Sequence, residues 1–258
     1  MTTAAIAMGS AGNESARVRQ LSTTRLLLLH LVPGILMTAG FILLAPLAKA
    51  LGFPPITALL AAIVVVLVPI ELGILALAAR AEGSSIAALI PYRSPIAART
   101  WVWLLPALIV LAFLGFGLHQ AIEPALIERF FGWLPGWYVS PIVIDQVGTY
   151  SATAWLLTLG AYFVINGFLG PIVEELYFRG YLLPRMDRFG RWAPLIDVTL
   201  FSLYHLWSPW QIVARILGLG PTVYAVWWKR NVRLGMAVHC TLNTLGVLIV
   251  AGMVLARI

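Results

Sequence analysis

Charge is scarce in this 258-residue chain: 10% of its residues are charged against 61% hydrophobic, and the mean hydropathy is +0.93. A soluble domain carries roughly a quarter charged residues, so a water-soluble globule is excluded. Disorder is excluded as well, because a disordered chain needs low hydrophobicity and high charge density. Cysteine is nearly absent, and the single Cys240 can form neither an intrachain disulfide nor a multi-thiolate metal site. Lysine is rare too, at 2 against 15 arginines in an alanine-rich chain, a composition that hints at a GC-rich bacterial genome.

What the chain does have is long apolar runs. Seven spans of about 20 residues with their connections would use nearly all of its length. The expected fold is an all-α, polytopic transmembrane helical bundle of about seven helices, between six and eight. Residues 1–24 are polar and read as a disordered cytoplasmic tail. Residues 25–150 read as N-terminal transmembrane helices with an interfacial segment, and 151–258 as a transmembrane core. Expected spans run from Leu26 to Pro46, Ile56 to Ala79 and Trp101 to His119, with four more starting near Ser151, Trp192, Pro209 and Leu234. The Ala48-Lys49-Ala50 triplet resembles a signal-peptidase site, but the apolar stretch before it is longer than a signal h-region, so no cleavage is expected.

The net charge of +7 bears on the bilayer and not on nucleic acid, for which no role is expected. Arg80, Arg93, Arg99, Arg185, Arg188, Arg191, Lys229, Arg230 and Arg233 fall on one set of connections, against Lys49 and Arg129 on the other, with Arg257 at the C-terminal end on that side. By the positive-inside rule the N-terminus is cytoplasmic, in what is expected to be a bacterial cytoplasmic membrane. The connection at 120–150 carries Phe130, Phe131, Trp133, Trp137 and Tyr138, as an interfacial aromatic belt or re-entrant segment would.

An ionisable group costs at least ~2.5 kcal/mol at the centre of a span, so those retained there are candidates for function. Glu174, Glu175 and Arg179 lie in PIVEELYFRGY. The i,i+4 spacing makes a Glu175–Arg179 ion pair natural, while Glu174 points about 100° away and is left free. Phe201 and His205, and His239 and Asn243, are likewise spaced to share a helical face. Glu174 and His205 stand symmetrically about the Phe189–Gly190 bond, so antiparallel helices turning there bring both to a similar depth, roughly 20 Å from the turn. His239, six residues after Arg233, would sit shallower unless its helix begins earlier or tilts. Asn166, Gly167, Gly170 and Pro171 interrupt the helix just before Glu174, either to open a wet cavity or to allow close packing.

Taken in order, Glu174-Glu175-x-x-x-Arg179, Phe201-x-x-x-His205 and His239-x-x-x-Asn243 resemble the three motifs of the type II CAAX prenyl endopeptidase family, also called CAAX protease and bacteriocin-processing proteins. The resemblance covers about residues 160–250 and does not extend to the first three spans. It implies a glutamate-dependent intramembrane endopeptidase without cofactor or metal, acting on a membrane-associated peptide or protein. By that resemblance Glu174 and His205 would activate a water, His239 and Asn243 would donate to the oxyanion, and Glu175 and Arg179 would poise the site. A carboxylate taken out of water is a stronger base if a nearby cation keeps it ionised, and oxyanion donors act best in a dry setting.

Other readings stay open. Glu174, His205 and His239 could ligate zinc, although no H-E-x-x-H pair occurs. Glu71 in VPIELG and Arg215 motivate a transporter, with Glu71 more simply explained by pairing with an arginine of a neighbouring helix. A non-catalytic scaffold or immunity protein would keep the motif residues for folding. Cys240 lies about 100° from His239 and reads as packing volume. The sequence leaves the oligomeric state unknown.

Overall fold

The computed structural model describes residues 18–142 and 144–258, and among these there is no β-strand beyond one isolated bridge, Arg93 to Asn231. Seven helices dominate: α1 (Thr23–Ala50), α2 (Pro55–Ala81), α3 (Ala98–Gln120), α4 (152–182), α5 (Ala193–Tyr204), α6 (Ile212–Lys229) and α7 (Val232–Leu255). The expected all-α bundle of about seven helices is thus observed. By length and composition, five helical stretches can cross a membrane. One of them, Ala152–Tyr204, joins α4 to α5 through a 3-10 segment, Leu183–Trp192, and folds back at Gly190, whose φ of 53° is open to glycine at no steric cost. α5 has 12 residues and reaches only ~18 Å, so it ends inside the bundle.

The outer face is apolar, with Leu43, Val102 and Leu118 each more than 70% exposed, as a lipid-facing surface requires. Packing inside relies on small residues at the crossings. A Cβ at Gly115 would come within 2.6 Å of the Gly218 backbone, so α3 and α6 touch main chain to main chain there.

Residues 1–17 of the expected tail lie outside the described residues, and within its last residues α1 already begins at Thr23. Leu21 is buried, its N–H donates to Arg185 O (3.2 Å), and Ser22 Oγ caps α1 by accepting from Arg25 N (3.3 Å). Three connections meet at the same basic end. Arg185 donates to Leu89 O and pairs with Glu82, Ser94 N donates to Arg230 O, and Val232 N donates to Tyr92 O. Burial pushes the Tyr92 phenol well above its ordinary range, so it stays neutral beside Arg230.

The 82–97 connection covers the α6–α7 turn, where Arg230 adopts a left-handed conformation (φ 50°) and Asn231 caps α7. Tyr92, Asn231, Val232 and Leu234 are all buried. α7 therefore starts beneath the surface, which places His239 deeper than its distance from Arg233 suggests.

At the opposite end the 120–150 aromatics divide. Phe130 and Trp133 are exposed, whereas Tyr138 is buried against Phe41 and donates to Leu206 O (2.7 Å), fixing the α5–α6 link next to His205.

Candidate active site

Two windings of α4 shape the site. Residues Ile165–Leu169 and Glu175–Leu182 are π-helical, flanking a short α-helical piece, Gly170–Glu174. Pro171 has no N–H to return to Gly167, so the first widening has a local cause. π segments recur at functional sites because they turn side chains out of the regular phase. Gly167 also serves packing, since a Cβ there would lie 3.2 Å from Thr244 Oγ1 on α7.

All six motif residues meet within this region. Glu175 Oε1 lies 3.4 Å from Arg179 Nη1 and 3.2 Å from His239 Nδ1, so the expected Glu175–Arg179 pair forms and also holds a histidine. Glu174 is not within ion-pair distance of Arg179 and turns instead toward two imidazoles. Its Oε1 is 3.9 Å from His205 Nε2 and its Oε2 is 3.9 Å from His239 Nε2. His239 therefore reaches the depth of Glu174.

His205 shares the face of Phe201, as expected, although the helix ends on it. It is the C-cap of α5, with ψ at 57°, and its position comes from the Nδ1–H donating to Phe201 O (2.8 Å). That bond assigns the tautomer and leaves Nε2 an acceptor. Phe201 does more than space the motif: its ring lies 3.9 Å under the Arg179 guanidinium and edge-on to His205. Asn243 Nδ2 donates to Asn166 O in the first π segment (2.9 Å).

Glu174, His205, His239 and Asn243 line one cavity of about 220 Å³, together with Pro171 and Arg215. A larger cavity of about 620 Å³ lies between the α1–α2 turn and residues 136–155, and among the described residues its titratable lining groups are Lys49 and Tyr150 alone. The smaller one is where the chemistry converges. Arg215 is buried against neutral partners, donating to Ser208 O and Gln211 Oε1 (both 3.1 Å). Among the described residues no three His, Cys, Asp or Glu side chains are arranged to hold a metal ion.

Sequence reasoning missed part of the network. Asp197 on α5, fully buried, lies 3.4 Å from Arg179 Nε and 3.6 Å from His30 Nε2 on α1. A lone acid in the apolar run APLIDVTLF was itself the signal. Glu71 does not pair with an arginine: its Oε1 lies 3.1 Å from the Tyr204 hydroxyl oxygen, which stands equally close to Glu174 Oε1 (3.1 Å). Gly235 went unnoticed because its contribution is an absence. A Cβ there would lie 2.2 Å from Glu175 Oε2.

Apolar helices around a buried cluster of acids, imidazoles and guanidinium define an integral membrane protein with a polar site inside its bundle. Residues 154–245, which include every motif residue, match the family model described as type II CAAX prenyl endopeptidase Rce1-like. The resemblance expected from the three motifs is borne out, and the matched family is one of membrane proteases. No curated protein and no solved structure matches the chain.

Proposed function

We propose that the protein is an intramembrane endopeptidase that hydrolyses a peptide bond of a membrane-associated peptide or protein with water activated by Glu174 and His205. The observation that carries this reading is the 3.9 Å separation of Glu174 Oε1 and His205 Nε2 on the cavity wall. That is too long for a direct hydrogen bond. A water oxygen at about 2.8 Å from each acceptor would subtend roughly 90°, near the tetrahedral preference, and could donate to both at once.

In this reading Glu174 takes a proton from that water as its oxygen attacks the carbonyl carbon, then returns it to the leaving amine as the C–N bond breaks. His239, held through Nδ1 by Glu175, presents Nε2 to the cavity and in its protonated form donates to the oxyanion. Asn243 donates through the amide hydrogen not given to Asn166. Each such donor is worth ~3 kcal/mol of barrier. Arg179 sets the position of Glu175, and through it His239. The basic end, where the 82–97, 183–192 and 229–233 segments meet, faces the cytoplasm of a bacterial membrane, with the N-terminus on that side.

Glu174→Gln tests this directly, because it nearly preserves shape while removing the base. The variant should assemble with unchanged thermal stability yet cleave nothing, and its membrane peptide content in cells should differ from wild type. Cleavage at the wild-type rate would refute the assignment of Glu174.

A further inference from the structure

Glu71 lies outside the three motifs and outside the matched segment, yet it is fully buried and only one hydroxyl away from Glu174. We propose that Glu71 and Glu174 share one proton through Tyr204, with the proton resting on Glu71, so that Glu71 is a positioning residue that keeps Glu174 ionised. Its part in catalysis rests on the hydrolytic reading above; its proton does not.

Hydrogen inventory leads to this. A phenol carries a single O–H, so Tyr204 donates to only one of the two carboxyl groups that stand 3.1 Å from its oxygen. The other contact would set lone pair against lone pair unless that carboxyl brings its own proton. With Glu71 protonated the chain is complete: Glu71 donates to the Tyr204 oxygen, and Tyr204 donates to Glu174. Charge counting agrees independently. Glu71, Glu174, Glu175 and Asp197 are four buried acids, and among the described residues Arg179 is the one guanidinium within ion-pair distance of any of them, already between Glu175 and Asp197.

The proton belongs on Glu71 because Glu174 lines the cavity, where water and the protonated form of His239, whose Nε2 is 3.9 Å from Glu174 Oε2, stabilise its charge. Glu71 faces Glu174, Tyr177 and Arg179 on α4 and Tyr204 on α5. Tyr177 gives its hydroxyl hydrogen to Leu29 O (2.7 Å), and among the described residues Glu71 Oε2 has no hydrogen-bond partner. A bare oxygen on a neutral acid is far less costly to bury than one on an anion. When Glu174 takes the proton of the attacking water the pair holds two protons, and its delivery to the leaving amine returns the pair to one.

Infrared spectroscopy of carbon-13 glutamate-labelled protein in lipid nanodiscs at neutral pH tests the proton without any substrate. Wild type should show a protonated-carboxyl band that Glu71→Gln abolishes and Glu174→Gln retains. No such band in wild type, or one that survives Glu71→Gln, would overturn the proposal. Should Glu71→Gln fail to fold, Tyr204→Phe decides instead: loss of the acceptor should shift the band to higher frequency, and an unmoved band overturns the sharing. Where cleavage is measurable, the acid-side midpoint of kcat/KM should stay put in Glu71→Gln, since the amide imitates a neutral acid. A fall of more than about one pH unit would mean that Glu71 was an anion opposing Glu174, against the proposal. Absence of all cleavage in wild type would count against the hydrolytic reading alone, and the infrared band would still decide this one.

Discussion

Replacing Gly235 by alanine puts the seating of the Glu175 carboxylate to a quantitative test. In an ordinary helix interior the change is favourable by about 1 kcal/mol, since glycine is the poorer helix former. Here the new Cβ would lie 2.2 Å from Glu175 Oε2 and 3.0 Å from its Cδ, with Val226 Cγ2 at 3.1 Å on the other side. The carboxylate would have to withdraw by about 1 Å to reach van der Waals contact. A free side chain could do so cheaply, but this one is tied 3.4 Å from Arg179 Nη1 and 3.2 Å from His239 Nδ1. Overpacking costs ~1–3 kcal/mol and loosening a buried ion pair up to ~3–5 kcal/mol. The expected net is a destabilisation of about 2–4 kcal/mol, opposite in sign to helix propensity. Reversible denaturation in mixed micelles would measure it. Adding Glu175→Asp, one methylene shorter, should recover at least half of the loss beyond the additive expectation. A Gly235→Ala protein as stable as wild type would refute the geometry.

Three further outcomes follow from the same network. Asp197→Asn leaves Arg179 with Glu175 as its sole ion-pair partner among the described residues and should cost about 3 kcal/mol in the same denaturation experiment. Gly34→Ala would drive a Cβ to 2.0 Å from the Tyr204 carbonyl, where the neighbour is main chain, so α1 must shift and thermal stability should fall by about 1–3 kcal/mol. Strong chelators should leave the cleavage rate of the purified protein unchanged, whereas a loss restored by added zinc would establish the metal-dependent reading.

The three motif pairs were legible because an ionisable residue in an apolar helix stands out against its neighbours, and because a hairpin turning at Gly190 equates the depths of Glu174 and His205. The count of helices was legible for a similar reason: runs of about 20 apolar residues leave few ways to fold. What was hidden lies in tertiary relations. The partner of Glu71 is a tyrosine that no spacing rule associates with it, and the depth of His239 depends on a loop 140 residues earlier in the chain folding over the α6–α7 turn. The first π winding was signalled by Pro171, but the second left no trace in periodicity, because α4 is apolar on most of its circumference and a change of phase alters no pattern. Asp197 and His30 were within reach of the same argument that found Glu174, since each is a solitary polar residue in a hydrophobic run.

The widened turns of α4 make chain length part of the chemistry. A π turn holds a surplus residue relative to the α turn it replaces, and Asn166 occupies one such turn while Arg179 occupies the other. Glu174 sits between them, so its bearing relative to both is set by how many residues are wound on each side of it as well as by which residues they are. An alignment of letters that preserved every motif while losing one neutral residue from either winding would describe a different active site.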